Sequence, residues 1–269
     1  MDLHAPTILG RTGLTVSRLG LSSGYGVPAP TVLRAFNDHS INFFHWSSRG
    51  GSQLSRALRQ LLPQHRDRLV IALHHYARPG WYLRWAVERR LRALGVDHVD
   101  LLLLGARQKK PGSALLEAAR QLQSHGMVRF LGLSGHRRQL FAELSADPAN
   151  PFDVFMVRYN AAHRGAEHDV FAKLPVSERP GVISFTATCW GELLKPGKLS
   201  RGEAPLSATD CYRFVLTDPH VDVCLCGPRN DDQLDQAVLA LDRGPLSQPE
   251  LARVQRVGDW VYSRRHSLW

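Results

Sequence analysis

The sequence predicts an α/β protein, a single (β/α)8 TIM barrel with an N-terminal β-hairpin cap, in one domain covering residues 1–269. Three observations lead to this fold class. Apolar runs of strand length alternate with helical stretches eight times along the chain, as a parallel sheet with crossover helices requires. Nothing remains to form a second sheet, and no linker or low-complexity segment divides the chain. Its 269 residues fit the roughly 250 that are usual for this barrel.

The N-terminal stretch ILGRTGLTVSRLGLSS, residues 8–23, predicts the hairpin. Two short extended pieces flank a turn at residues 11–13 that ends in glycine. The first barrel strand follows at residues 18–22. We therefore expect the hairpin to close the barrel end opposite the active site.

The later strands are apolar runs followed by polar residues. In the second run, INFFHW, bulky side chains suit a strand covered on both faces, and the polar residues beyond it lie where barrel enzymes place their active sites. The eight barrel strands are predicted at residues 18–22, 41–46, 68–76, 99–104, 127–134, 152–157, 181–187 and 221–227.

Helix boundaries follow from proline, glycine and capping residues. Pro79 begins the third helix and Gly95 ends it, while an Asn or Asp at 230–232 caps the helix after the eighth strand. Trp81 and Tyr82 are interpreted as residues on the inward face of the third helix. Helices are predicted at residues 31–38, 52–62, 79–94, 113–125, 139–145, 211–216, 230–241 and 248–263, with a further one after the sixth strand.

Composition limits the class of protein. Hydrophobic residues make up 43% of the chain, enough for a full core, but there is no run of about 18 apolar residues and the N-terminus lacks the apolar region of a signal sequence. We expect a cytoplasmic protein with no membrane partner, either a monomer or a weak homodimer. The formal charge of +10 comes mainly from scattered arginine, which favours attraction for phosphate-bearing ligands. Because no nucleic-acid motif accompanies it, the expected partner is a small molecule.

The cysteines show no metal-ligand spacing. Cys224 and Cys226 bracket one residue of an apolar strand and therefore point to one face of it. We predict that these two, together with Cys189 and Cys211, are core thiols, and we expect no bound metal.

His45 and His74 are the strongest candidates for catalytic residues. They end neighbouring strands, which lie roughly 5 Å apart, so we expect their rings within reach of a hydrogen bond or one water. One imidazole then serves as a general base while the other, protonated, stabilises an oxyanion. Because two adjacent positive charges are costly, one ring is expected to titrate well below the usual pKa of about 6.5 while its neighbour stays near it.

Two other interpretations of this pair remain open. The histidines line a pocket that binds without reacting, or they form a metal site with His75, although no strand end supplies a carboxylate. The predicted substrate pocket consists of aromatic, histidine and arginine residues at strand exits, where arginine suits a carboxylate or phosphate. These residues are Trp46, Arg49, His75, Tyr76 and Arg107.

Six stretches together resemble the aldo/keto reductase superfamily, whose members are (β/α)8 barrels that bind NADP(H). They occur in the order and spacing of that family over nearly the whole chain. The stretches are LGRTGLTVSRLGLSS at 9–23, INFFHW at 41–46, LRALGVDHVDLLLL at 91–104, GMVRFLGLSGH at 126–136, FDVFMVRYNAAHRGAE at 152–167 and GPRNDDQLDQA at 227–237. The resemblance implies the barrel fold and an NADP(H)-type oxidoreductase.

The catalytic tetrad implied by the resemblance is absent. Where the family has an Asp and a Tyr after the second strand, this chain has His45 and Gly50. The Lys of the family falls on His74, and its His falls on Gly105. The usual proton relay of the family therefore cannot operate, and the two histidines are the candidates to replace it.

The nicotinamide contacts implied by the resemblance are partly kept. Ser134 matches one polar contact, whereas Gly135 and Met156 replace two amide side chains. Phe185 matches an aromatic residue that stacks on the nicotinamide ring. Arg158, at the end of the sixth strand, is also predicted to contact the cofactor.

The loop after the eighth strand resembles an adenosine-phosphate site. Gly227 frees the backbone, Arg229 can pair with a 2′-phosphate, and the following helix N-terminus favours an anion. Gln233 matches a family contact, but Gln236 and Ala237 replace the usual Glu and Asn at the adenine. Whether NADP(H) binding is retained stays open.

Three functions therefore remain. The first is a divergent NADP(H)-dependent oxidoreductase in which a histidine replaces the usual acid. The second is a cofactor-free enzyme or an inactive pseudoenzyme that binds a small anionic or aromatic ligand. The third is a metal-dependent lyase or hydrolase.

Overall fold

The structure, a computed structural model, describes residues 1–48, 51–195 and 203–264, and a closed barrel of eight parallel strands forms its centre. Neighbouring strands pair in chain order, and the last pairs with the first, which confirms the predicted (β/α)8 barrel. The strands are β1 (Thr7–Ile8), β2 (Thr15–Val16), β3 (Leu19–Ser22), β4 (Phe43–Ser47), β5 (Val70–His75), β6 (Val99–Arg107), β7 (Val128–Gly135), β8 (Val154–Arg158), β9 (Gly181–Phe185) and β10 (Val223–Cys226).

Helices follow the barrel strands close to the predicted positions. The helices are α1 (Ala29–His39), α2 (Ser52–His65), α3 (Gly80–Leu94), α4 (Ser113–Ser124), α5 (Arg138–Ser145), α6 (Ala166–Asp169), α7 (Ala208–Thr217), α8 (Asp231–Arg243) and α9 (Gln248–Ser263). Gly95 and Gly126 have left-handed φ angles of 78° and 73° after α3 and α4, which is why these helices end at glycine. In the described ranges no helix is both long and apolar enough to cross a membrane.

The hairpin closes the N-terminal end of the barrel, as predicted. Strands β1 and β2 pair antiparallel, and the backbone N–H of Arg11 donates to the carbonyl oxygen of Arg179 at 3.0 Å. A Cβ atom on Gly10 would lie 2.1 Å from the nitrogen of Gly181, at the start of β9. Only glycine allows this approach. Because Gly181 begins β9, the hairpin lies at the N-terminal end of the barrel, opposite the strand ends that carry the candidate site.

Two hydrophobic cores result from the alternation of side chains along each strand. The inner core fills the barrel and includes Phe43, Ala72 and Leu103 together with Leu9 of the hairpin cap. The outer core lies between strands and helices, and all four cysteines are buried, as predicted for core thiols. Each residue on β4 or β5 therefore faces either the barrel interior or the helices. Polar side chains on these strands contact each other only if they face the same side.

Two details differ from the sequence predictions. Strand β6 continues three residues past Leu104, with a register shift before Arg107 and a φ of 50° at Ala106. Trp81 and Tyr82 do not face inward: their side chains are 76% and 38% exposed. The aromatic residues near the start of α3 therefore form an outer surface.

Candidate active site

His45 and His74 meet at the barrel mouth, as expected from neighbouring strand ends. The Nε2 atom of His45 lies 2.9 Å from the Nδ1 atom of His74, and both side chains are buried. The pairing of β4 with β5 sets Ser47 opposite His74, which brings His45 beside it on the inner face. The structure thus forms the direct contact that the sequence predicted.

Ser22 extends this contact into a chain of three residues. Its Oγ lies 2.9 Å from Nδ1 of His45, and it accepts a hydrogen bond from the backbone N–H of Gly24. Ser22 ends β3 directly opposite His45 in the parallel register. The sequence interpretation missed Ser22, although its place at the neighbouring strand end marks it as a candidate.

Tyr76 completes the group from the loop after β5. Its hydroxyl lies 3.4 Å from Nδ1 of His74, and the two ring centroids are 4.6 Å apart. Gly105 makes room for both rings, because a Cβ at this position would lie 2.5 Å from Nε2 of His74 and 2.7 Å from Cδ1 of Tyr76. Any larger residue at 105 would displace this pair, so the glycine there is part of the site.

Burial keeps His45 neutral. Removal from water lowers its pKa from the usual 6.5 to about 4. A neutral imidazole has one donor and one acceptor nitrogen, so the chain Ser22–His45–His74 has two proton arrangements that run in opposite directions. The sequence predicted that one of the two rings has a lowered pKa, and this ring is His45. The cause is burial and not the charge of the neighbouring histidine.

Trp46 and His75 do not join this site. Each follows an inward-facing histidine by one residue, so the alternation of a strand turns it toward the helices. Trp46 belongs to the outer core, where the guanidinium of Arg90 lies 5.1 Å from the centroid of its ring. His75 is also buried among the helices, and burial together with Arg90 and Arg107 lowers its pKa to about 4. Within the described ranges no group of three or more His, Cys, Asp or Glu residues is arranged to hold a metal.

The arginines predicted around the mouth differ in placement. Arg107 is buried and donates to the carbonyl oxygen of Ala77, which ties the end of β6 to the loop after β5, and burial lowers its pKa. Arg158 is half-buried at the end of β8, where it helps burial to lower the pKa of His136. Arg49 lies outside the described residues.

A cleft of about 310 Å³ opens beside the ends of β9 and β10. Gly227, Arg229 and Gln233 line it, together with Tyr25 and Trp190. A Cβ on Gly227 would lie 2.6 Å from the ring of Tyr25, so glycine keeps this wall close-packed. The three residues predicted at the adenosine end of a cofactor therefore border one cleft.

Helix α8 begins at this cleft. Asn230 caps the helix by accepting a hydrogen bond from the backbone N–H of Gln233 at 3.0 Å. The side-chain oxygen of Gln233 in turn accepts from the backbone N–H of Arg229 at 2.9 Å. The Arg229 side chain is exposed beside the positive end of the helix dipole, which favours an anion, whereas Asp231 and Asp232 in the first turn of α8 oppose one.

Two further residues predicted to contact the cofactor, Ser134 and Phe185, lie on the barrel rim. Ser134 is buried near the end of β7, and Phe185 is half-buried at the end of β9. The ring of Phe185 meets that of His136 edge-on, with 5.4 Å between centroids. His136 was not among the predicted site residues, but it directly follows β7 and touches the proposed nicotinamide contact.

The loop after β9 holds a strained backbone. Thr186, Cys189 and Trp190 have left-handed φ angles of 63°, 52° and 55°, which residues with a Cβ rarely adopt. Strain of this kind costs of order 1 kcal/mol or more for each residue and concentrates at ligand-binding segments. Thr186 and Trp190 line the cleft, so the strained loop forms one of its walls.

Cys189 is buried in the outer core. Its sulfur lies 3.7 Å from Nδ1 of His163, and the same nitrogen lies 3.2 Å from Oδ1 of Asn160.

No family model matches the sequence, and no curated protein matches it. Among solved structures, the holo form of an aldo-keto reductase from Bacillus halodurans is similar to this chain, with a TM-score of 0.74. The similarity covers 94% of this chain and 95% of that one at 20% sequence identity. The chain therefore has the fold of an aldo-keto reductase, which confirms at the level of fold the resemblance noted in its sequence.

Proposed function

We propose that the protein is an NADP(H)-dependent oxidoreductase in which the chain Ser22–His45–His74, with Tyr76 against it, replaces the usual proton relay of aldo-keto reductases. The observation that carries this proposal is the presence of two features at one barrel mouth. One is a buried histidine chain with two proton arrangements, and the other is a cleft that ends at a helix N-terminus and an exposed arginine.

The residues of the cleft fit a nucleotide carrying a phosphate. Gly227 lines the cleft with the ring of Tyr25 packed against it, and Arg229 supplies a positive charge beside the N-terminus of α8, whose first turn also carries Asp231 and Asp232. Toward the histidines, Ser134 would hold the amide of the nicotinamide and Phe185 would pack on its ring. Arg158, half-buried at the end of β8, and Gln233 complete the proposed contacts. When bound, such a cofactor supplies a hydride.

The histidine chain would supply the proton. In one arrangement Ser22 donates to Nδ1 of His45, Nε2 of His45 donates to Nδ1 of His74, and Nε2 of His74 carries a proton beside Gly105. A neutral imidazole N–H of this kind polarises a carbonyl, as the neutral histidine of triosephosphate isomerase does. When that proton passes to an oxygen of the substrate, one proton moves from His45 to His74 and another moves from Ser22 to His45. Ser22 is partly exposed, so water can restore the last one.

A second candidate function is binding without turnover. Gly135 and Met156 cannot make the two amide contacts that hold a nicotinamide, and none of the four tetrad positions keeps its usual residue. On this alternative the barrel mouth binds a small anionic or aromatic molecule and does not respond to NADPH. The described residues supply no ligand set that supports the metal-dependent alternative.

Titration of the purified protein with NADPH, followed by the fluorescence of the reduced nicotinamide, separates these candidates. The proposal predicts a saturable rise in fluorescence, which Phe185→Leu reduces because a packing surface for the ring is lost. A matched change outside the mouth, Phe130→Leu, controls for loss of an aromatic ring. If NADPH gives no saturable signal at millimolar concentration, the alternative of a cofactor-independent binding protein is the better one.

A further inference from the structure

A second cleft, of about 590 Å³, lies outside the barrel against helix α3. His75, Tyr82, Trp85, Arg89 and Arg90 line it. Its volume is within the range of pockets for small molecules. It is distinct from the histidine chain, because His74 faces the barrel interior and His75 faces the helices.

The wall of this cleft is aromatic and exposed. Tyr82 and Trp85 are stacked with 5.7 Å between ring centroids, and their side chains are 38% and 46% exposed. Trp81 continues the surface, with its ring edge-on to Tyr82 at 5.8 Å. Contiguous exposed aromatic rings are a feature of binding surfaces.

Positive charge surrounds these rings. The guanidinium of Arg89 lies 5.4 Å from the ring centroid of Trp85, and Arg90 donates to the carbonyl oxygen of Ser48 at 2.5 Å. No Asp or Glu is among the described residues that line the cleft, and the nearby Glu88 pairs with Arg84 instead. Burial and the neighbouring Arg89 lower the pKa of Arg90.

The floor of the cleft offers a hydrogen-bond donor. Nδ1 of the buried His75 accepts a hydrogen bond from the backbone N–H of Ala77 at 3.0 Å. Since burial and the neighbouring arginines keep this ring neutral, its proton is on Nε2. The nitrogen that remains for a ligand is thus a donor, which again suits an anionic group.

We propose that this cleft binds a small planar aromatic anion of the aryl carboxylate class. The ring would pack on Tyr82 and Trp85, and the carboxylate would meet Arg89, Arg90 and the N–H of His75. The ligand needs both its aromatic ring and its carboxylate, because the aromatic wall and the arginines are adjacent in the same cleft. Tyr76 also borders the cleft, so a ligand there would lie next to the histidine chain.

Calorimetric titration of the whole protein with three probes tests this proposal. 1-Naphthoate should bind saturably, while 1-naphthamide, which lacks the charge, and cyclohexanecarboxylate, which lacks the aromatic ring, should each bind at least about tenfold more weakly. Equal affinity for naphthoate and naphthamide would overturn the role of the arginines. Equal affinity for naphthoate and cyclohexanecarboxylate would overturn the role of the rings.

Variants assign the binding to this cleft. Arg89→Gln changes an exposed side chain and should weaken naphthoate by about tenfold, as should Trp85→Leu. Arg92→Gln removes the same charge from an exposed position of α3 outside the cleft and should leave affinity unchanged. Affinity that survives Arg89→Gln and Trp85→Leu but falls in His45→Gln would move the site to the barrel mouth and contradict the proposal.

Discussion

The two sides of the barrel mouth are built in different ways. On the side of β4 and β5, Ser22, His45, His74 and Tyr76 form a group of hydrogen-bonded side chains. On the side of β9, β10 and α8, Gly227, Arg229 and Gln233 border a cleft at a helix N-terminus.

This difference predicts how each side responds to substitution. The histidine side depends on a few side chains at strand ends and on the space that Gly105 leaves for His74 and Tyr76. The cleft side depends on backbone groups and a helix dipole, which survive side-chain changes. Substitutions on the histidine side are therefore expected to cause loss of catalysis, whereas those on the cleft side should cause a modest loss of cofactor affinity.

The largest effect is expected for His45→Gln. On the proposed function, it breaks the chain to His74, so turnover of NADPH with a carbonyl substrate should fall about a hundredfold or more, as for loss of a general acid or base, while NADPH affinity stays the same. His125→Gln, an exposed residue after α4, is the matched control. An equal loss of NADPH affinity would show that the two sides do not act separately.

The second effect concerns the space at Gly105. Gly105→Ala places a Cβ 2.5 Å from His74 and should lower the free energy of unfolding by about 1–3 kcal/mol, with Tm falling by roughly 2–4 °C per kcal/mol. Gly112→Ala is the control, because no atom lies within 4 Å of its added Cβ and its φ is −65°. Thermal unfolding of both variants gives the comparison, and equal Tm values would mean that the pair does not need the glycine.

A third effect tests the cleft side. Arg229→Ala should weaken NADPH by about tenfold or more and leave NADH unaffected, because only NADPH offers a 2′-phosphate to the guanidinium. Arg243→Ala removes an exposed arginine from the far end of α8 and serves as control. Equal losses of affinity for NADPH and NADH would show that Arg229 has a role other than binding the 2′-phosphate.

A fourth effect is that of pH on stability. The pKa of His45 is lowered to about 4 in the folded protein, below the value near 6.5 expected when unfolded. The unfolded state therefore binds the extra proton between pH 6.5 and 4, so stability is full above this window and falls as pH decreases through it. The loss approaches about 1.4 kcal/mol per pH unit. Denaturant unfolding from pH 7 to 4.5 should show a shallower decline for His45→Gln, and parallel curves would contradict the buried neutral ring.

The sequence was sufficient to predict the barrel, the hairpin cap and the contact between His45 and His74, because strand ends and period-two alternation determine these. The same alternation places Trp46 and His75 on the opposite face, and applying it to the neighbours of the two histidines would have excluded them from the pocket. Identifying Ser22 as a site residue required knowledge of the register of β3 with β4. The left-handed backbone at Thr186, Cys189 and Trp190 was not predicted, because their residue types do not favour it.

Nitrogen-15 NMR of the imidazoles during titration with NADPH at neutral pH tests most directly whether the histidine chain serves a cofactor in the cleft. We predict saturable shifts of the His74 ring nitrogens, which sense the nicotinamide end. Adenosine 2′,5′-bisphosphate, which lacks that end, should bind the cleft and leave those resonances in place. The account is contradicted if NADPH binds without moving them, or if neither ligand binds.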